Sequence, residues 1–329
     1  MKKKLVFPLL FFSLIVLGQN TFNDYAQFYP IGEDPNIRTM TSYTNQETIL
    51  FEANPVLRLS VYNNFIKGLS NGDNHTQAWY ISFRPQLRMY TDNSLPVRTP
   101  SYKIFLGTQH LFQLNNYNFF GFSIESGHYS NGQDGCAFNE NLSDGTIPCD
   151  NIYNTITEAT DLSEILNRRS GNFSTNLTEV ILNYRSYKLD DDDSPRQMSS
   201  VNIGYTLYHN KFLGVADFGG FTNNDIQLYG QHRFILGFEF MNVLKDPKKR
   251  YSVKQNIEII HKPHNSVNPV RLETVLTIYP FKKTKAIGFF GAYIYGHDNY
   301  NFRFVDAGNQ FALGMSWSQF PPFRFFREL

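Results

Sequence analysis

Apolar and polar residues alternate with a period of two along several stretches of the chain, which is the period of a strand and not of a helix. From Trp79 to Met89 the odd positions are Trp79, Ile81, Phe83, Pro85, Leu87 and Met89, while Tyr80, Ser82, Arg84, Gln86 and Arg88 stand between them. Further on, Leu272, Thr274, Leu276 and Ile278 oppose Arg271, Glu273, Val275 and Thr277. One face of each strand is oily and the other carries charge. Counting back from the C-terminus, the pattern predicts strands over 310–318, 286–296, 270–281, 253–263, 226–243, 201–218, 172–188, 117–130, 101–113 and 77–90, with two shorter segments at 55–64 and 46–52. Twelve antiparallel strands satisfy the even number that a single-chain barrel uses. Asn54-Pro55 is either a turn between the last two or an interruption of one longer strand, since proline cannot donate to a ladder.

Alternation alone does not separate a membrane barrel from a soluble β-sandwich. Composition does. Aromatics make up 16% of the chain, with 31 Phe and 20 Tyr, whereas charged residues make up 18%. Aromatic girdles around an alternating wall produce that balance. The mean hydropathy of -0.37 fits as well, because only every second residue of a barrel strand meets lipid. Lys2, Lys3 and Lys4 precede an apolar run from Leu5 to Leu17, then Gly18, Gln19 and Asn20. About 13 apolar residues fall short of the roughly 20 that cross a bilayer, so this is read as a cleaved secretory signal peptide. The expected organisation is a signal peptide over 1–19, a periplasmic segment over 20–45, a barrel over 46–320 and a tail over 321–329. A net charge of +1 gives no basic field and excludes nucleic acid as a partner.

Short connections at Asn115-Asn116, Asp190 to Pro195, Asp246 to Arg250 and Lys282 to Lys285 read as periplasmic turns, and residues 131–171 as one long outer loop. Asp190 to Asp193 lacks the Gly and Glu spacing of a calcium loop and reads as a solvated turn. Cys136 and Cys149, the only two cysteines, are expected to pair in an exported chain. His261 and His264 do not share a strand face, and no metal is assigned to them. His297-Asp298 reads as a turn in the last outer loop.

The chemistry is concentrated at His128-Tyr129-Ser130-Asn131-Gly132. His128 and Ser130 share a strand face with Cα atoms roughly 6.5–7 Å apart, so a nucleophile and its base could touch. Their face also carries Phe120, Phe122 and Ile124 and is the greasier one, which points both groups at lipid. A descending strand offers Asn172, Ser174 and Asn176 in phase with Val180, Leu182 and Tyr184. An amide there could hold the imidazole without the desolvation cost of a carboxylate. Asn176 and Asn172 are both candidates on position alone.

Gly127-His128-Tyr129-Ser130-Asn131-Gly132 resembles the Gly-x-His-x-Ser-Asn-Gly region of the outer-membrane phospholipase A family, shifted by one at the Gly, and Ser174-Thr175-Asn176 resembles that family's Ser-Trp-Asn. Tyr295-Gly296 through Tyr300-Asn301 is similar to its last hairpin. By average composition His-x-Ser-Asn-Gly arises by chance in about one chain per thousand of this length, so the match carries weight. The resemblance implies a twelve-stranded barrel with a Ser130-His128-Asn176 triad on its outer wall, active with calcium and as a homodimer, hydrolysing acyl esters of phospholipids in the outer leaflet. The forty or so residues between the two motifs, and Gln133-Asp134 in place of the family's Arg and Ser, depart from its pattern. Asp134 is the calcium candidate. The alternatives are a non-enzymatic porin or interaction barrel, or an esterase acting on lipopolysaccharide.

Overall fold

The computed structural model describes residue 31 and residues 35–44, 47–91, 97, 100–115, 117–189, 195–244, 249–281 and 286–318. The signal peptide, the tail and the Asp190–Asp193 run lie outside the described residues. Among the described residues there are fifteen strands: β1 (Asn36–Thr44), β2 (Ile49–Asn54), β3 (Leu57–Asn63), β4 (His75–Tyr90), β5 (Ser101–Asn115), β6 (Asn118–Ser130), β7 (Ser174–Leu189), β8 (Pro195–His209), β9 (Lys211–Phe212), β10 (Ala216–Asp217), β11 (His232–Val243), β12 (Arg250–His261), β13 (Val270–Tyr279), β14 (Ile287–His297) and β15 (Ala307–Ser318). Apart from the small β9–β10 ribbon they form one antiparallel sheet of thirteen segments that closes on itself: β1 pairs with β15, and β2 pairs with both β1 and β4. Because β2 and β3 both pair with β4 and are parted at Pro55, they are one interrupted strand, and the wall has twelve.

The expectation is right about closure and wrong about its first strands. Asn54-Pro55 is an interruption, and the remaining strand is β1, inside the segment assigned to the periplasm over 20–45. The sequence Asn36-Ile37-Arg38-Thr39-Met40-Thr41-Ser42-Tyr43-Thr44 hides it, since its outward positions include Thr39 and Thr41 and so show little apolar contrast. The strand expected over 226–243 begins at His232, because Asn223–Tyr229 is a helix with a Thr222/Asp225 capping box. Similarly, 201–218 stops being wall at His209.

Alternation maps to faces as read. Trp79, Ile81, Phe83, Ile104, Leu106, Leu276 and Ile278 are exposed on the outer wall, which is the surface a transmembrane barrel offers to lipid. No helix among the described residues is long and apolar enough to cross a membrane. Inside, Glu125 accepts from Tyr80 at 2.5 Å, from Arg58 at 3.2 Å and from Arg84. Arg88 pairs with Asp298 at 2.7 Å and Arg233 with Glu258 at 3.0 Å. His297-Asp298 is therefore no simple turn: His297 ends β14, fully buried beside Glu258, and Asp298 joins the lumen network. Burial pushes the Asp298 carboxyl up, but the Arg88, Arg303 and Arg271 guanidiniums outweigh it and hold it below the usual range.

Apolar clusters stand at both ends of this polar lumen. At the inner end Phe65, Tyr80, Phe119, Met198 and Met241 pack together, with Phe65 supplied by the helix Phe65–Ser70. At the outer end Tyr129, Phe173, Phe221, Tyr229 and Phe304 pack with Ala137 and Phe138 of the long loop. Cys136 and Cys149 are disulfide-bonded inside that loop, as expected. Closing a segment of 13 residues is worth about 3 kcal/mol in the chain-entropy model.

Candidate active site

His128 and Ser130 leave β6 on its outward face, since Gly127 and Tyr129 beside them are buried on the lumen side. In the ladder His128 stands opposite Asn176, and Ser130 opposite Ser174. His128 Nδ1 and Asn176 Oδ1 are 2.9 Å apart. The Asn176 amide is completely buried, and its Nδ2 donates to the carbonyls of Asn210 at 2.5 Å and Phe218 at 2.8 Å. Two carbonyls on one side of an amide can only be met by its NH2, so the oxygen must face the ring. An amide oxygen accepts, so Nδ1 carries the ring proton and Nε2 is left with its lone pair. That is the tautomer a general base needs. Of the two asparagines Asn176 is the one that meets the ring, for Asn172 turns away and donates to Asp144 at 2.7 Å.

Ser130 is partly exposed beside the imidazole, and among the described residues no hydrogen bond joins the two. Such contacts are commonly open before substrate binds and tighten with it. The rest of the pentad has structural work. Asn131 is buried, accepts from Gln133 N at 3.2 Å and Phe173 N at 3.0 Å, and donates to Gly171 O at 2.7 Å, so it clamps the end of β6 to the approach to β7. Gly132 follows at φ +64°, a conformation that favours glycine and bends the chain away directly after Ser130.

One turn lower on the same outward face, Ser126 Oγ lies 2.9 Å from Thr178 Oγ1, which lies 3.1 Å from His209 Nε2. Ser126 also reaches Leu177 O at 3.3 Å. This second set is a closed polar chain with threonine interposed between hydroxyl and ring.

Sequence reading missed the segment that covers the site. After His209 the chain makes the β9–β10 hairpin and returns through Phe218, whose ring centroid is 4.7 Å from that of His128. Ser174 Oγ donates to Gly219 O. Gly219 has φ +48°, and a Cβ there would stand 2.6 Å from Ser174 Oγ and 3.2 Å from His128 Cε1. The signal available was Phe218-Gly219-Gly220-Phe221, a glycine pair between aromatics, which marks a close backbone approach.

Asp134 is exposed, and its carbonyl takes the Asp144 N–H at 2.8 Å. Among the described residues no group of three or more His, Cys, Asp or Glu is placed to hold a metal ion.

No protein-family model and no curated protein matches the chain. Solved structures do match in fold. Outer membrane phospholipase A from Escherichia coli is 12% identical, with 86% of this chain and 92% of that one covered and a TM-score of 0.49. The Salmonella typhi outer membrane phospholipase dimer with bound calcium is 11% identical over 91% of this chain and 97% of that one, TM-score 0.49. The NanC porin is 8% identical over 86% and 98%, TM-score 0.40. A fold does not by itself carry a function, which is argued from the site.

Proposed function

We propose that the protein is a phospholipase of a Gram-negative-type outer membrane, hydrolysing acyl esters of outer-leaflet phospholipids with Ser130 as nucleophile. The observation that carries this reading is the 2.9 Å contact between His128 Nδ1 and Asn176 Oδ1 on the lipid-facing wall, with Ser130 beside it. His128 Nε2 takes the Ser130 proton as Oγ attacks the ester carbonyl. The carbonyl oxygen becomes an oxyanion. Gly132, whose N–H carries no hydrogen bond among the described residues, is the nearest backbone donor in sequence for it. Collapse breaks the ester C–O bond, and the imidazolium gives its proton to the departing lysophospholipid alcohol. Water, deprotonated by the same nitrogen, then releases the fatty acid and restores Ser130. Asn176 keeps the ring in one tautomer throughout.

Calcium, with Asp134 as its ligand, and a homodimer enter through the resemblance in sequence, and no step above passes through either. The test is fatty-acid release from phosphatidylcholine in detergent micelles, with added calcium and with chelator, together with mass analysis after fluorophosphonate treatment. Expected are release and an adduct on Ser130, both lost in Ser130→Ala. Undiminished release by that variant overturns the assignment of the nucleophile. Ion conductance with no adduct and no lipolysis points to the porin reading instead.

A further inference from the structure

The hairpin following His209 presents apolar side chains at its exposed end. Val215 is 79% exposed, Phe218 59% and Leu213 39%. In a water-facing loop such an end is unfavourable, and its backbone makes the choice more pointed. The turn is closed by Val215 N to Phe212 O at 3.1 Å, with φ positive at both Leu213 (+49°) and Gly214 (+76°). Turns of this form favour asparagine or glycine at both positions, so leucine at the first is strained relative to either. An apolar side chain stands at the apex despite that cost.

The hairpin lies against the outside of the wall. Phe218 packs on the outward ring of His128, the Asn210 and Phe218 carbonyls take both Asn176 N–H groups, and the Gly219 carbonyl takes the Ser174 hydroxyl. On the opposite side of His128 and Ser130, β5 presents Tyr102, opposite Ser130, then Ile104, opposite His128, and Leu106, all exposed and outward. The candidate nucleophile and base therefore lie in a strip between two apolar borders, one fixed in the wall and one carried by the hairpin. Hydrocarbon is the chemistry that both borders fit, and the surface they continue is the one that meets lipid.

We infer that the 210–221 hairpin dips into the outer leaflet and binds the acyl chains of lipid, with its carbonyls orienting Asn176, so that the tail of a bilayer lipid is guided along the strip to Ser130. Acyl-chain contact by the hairpin stands independently of catalysis, while the guidance of substrate rests on the proposed phospholipase reading. Phe218 and Asn210 are positioning residues here, since they act on His128 through packing and through Asn176.

Two measurements separate these parts. In a full-length Trp79→Phe, Trp317→Phe background, Val215→Trp gives a single emitter at the apex. In phosphatidylcholine vesicles brominated on their acyl chains its emission is expected to fall at least about twofold relative to unbrominated vesicles, and to be blue-shifted. Equal emission in both overturns the inference whatever the enzyme does. The second compares Leu213→Asp/Val215→Asp with the parent chain on vesicle phosphatidylcholine and on a water-soluble short-chain ester. The ratio of long-chain to short-chain turnover is expected to fall about tenfold or more, a change of about 1.4 kcal/mol in relative barrier. An unchanged ratio overturns guidance by the hairpin. If the parent hydrolyses neither substrate, the phospholipase reading fails, and quenching alone still decides whether the hairpin sits in lipid.

Discussion

Asn176→Asp is the sharpest test of the site, because it keeps the shape of the side chain while replacing its donating nitrogen with an oxygen and adding a negative charge. In the native chain Oδ1 serves the imidazole and Nδ2 serves two carbonyls at 2.5 and 2.8 Å. Aspartate preserves the first contact and replaces two donated hydrogen bonds with an oxygen facing two carbonyl oxygens. Two lost bonds cost about 1–3 kcal/mol together, and the charged oxygen left without a donor at this fully buried position adds about 1–3 kcal/mol or more. A net loss of about 3 kcal/mol or more, roughly a hundredfold or greater in the population of the closed hairpin, is expected. Limited proteolysis within 211–218 and fatty-acid release from micelles are the assays. The variant should be cut much faster than the parent and lose activity with it. Acid should restore part of the protection, since a protonated carboxyl can donate to one carbonyl. Protection equal to the parent's at neutral pH would refute the amide orientation, and with it the ring tautomer derived from it.

Other outcomes follow from the same geometry. Ser126→Ala should keep most activity while Ser130→Ala loses it by a thousandfold or so, measured as release per protein, because Ser126 is committed to Thr178 and Leu177 O. Gly219→Ala should open the hairpin to protease and lower turnover, as its φ of +48° and its 2.6 Å approach to Ser174 Oγ leave no place for a methyl. Glu125→Leu should lower stability by about 3–5 kcal/mol in urea titrations of the micellar barrel, since Arg58 and Arg84 lose a shared buried carboxylate. Planar-bilayer recordings should show no steady open-channel current, given the apolar clusters at both lumen ends; stable conductance steps would contradict this.

The wall was legible wherever the outward residues were strongly apolar, as in Trp79 to Met89. It was not legible in β1, whose outward threonines lower the contrast on which periodicity depends, nor at Asn223–Tyr229, a short helix settled by a local cap. His128, Ser130 and Asn176 could be placed on one face because a ladder of known period fixes which way side chains point. Which asparagine meets the ring could not be read, because the answer depends on carbonyls supplied by Asn210 and Phe218 from a different connection. Those partners act through the backbone, and backbone carbonyls leave no mark in residue type. The lumen pairing of His297 and Asp298 was hidden for a related reason: Glu258 and Arg88 come from strands far away in sequence.

The break at Pro55 reaches beyond the counting of strands. Between β1 and β2 the pairing runs only from Asn36 with Asn54 to Thr39 with Phe51, whereas β14 and β15 are joined from Ile287 with Trp317 to His297 with Ala307. A cylinder assembled by successive zippering of neighbours welds its first strand to its last, here β1 to β15 over nine residue pairs, and the shortest pairings of the wall lie beside that weld, at β1–β2 and β2–β4 with four each. Amide exchange should begin along that seam, and mechanical or thermal opening should unroll the wall from it, leaving the β6–β7–β8 region that carries His128 among the last parts to come undone.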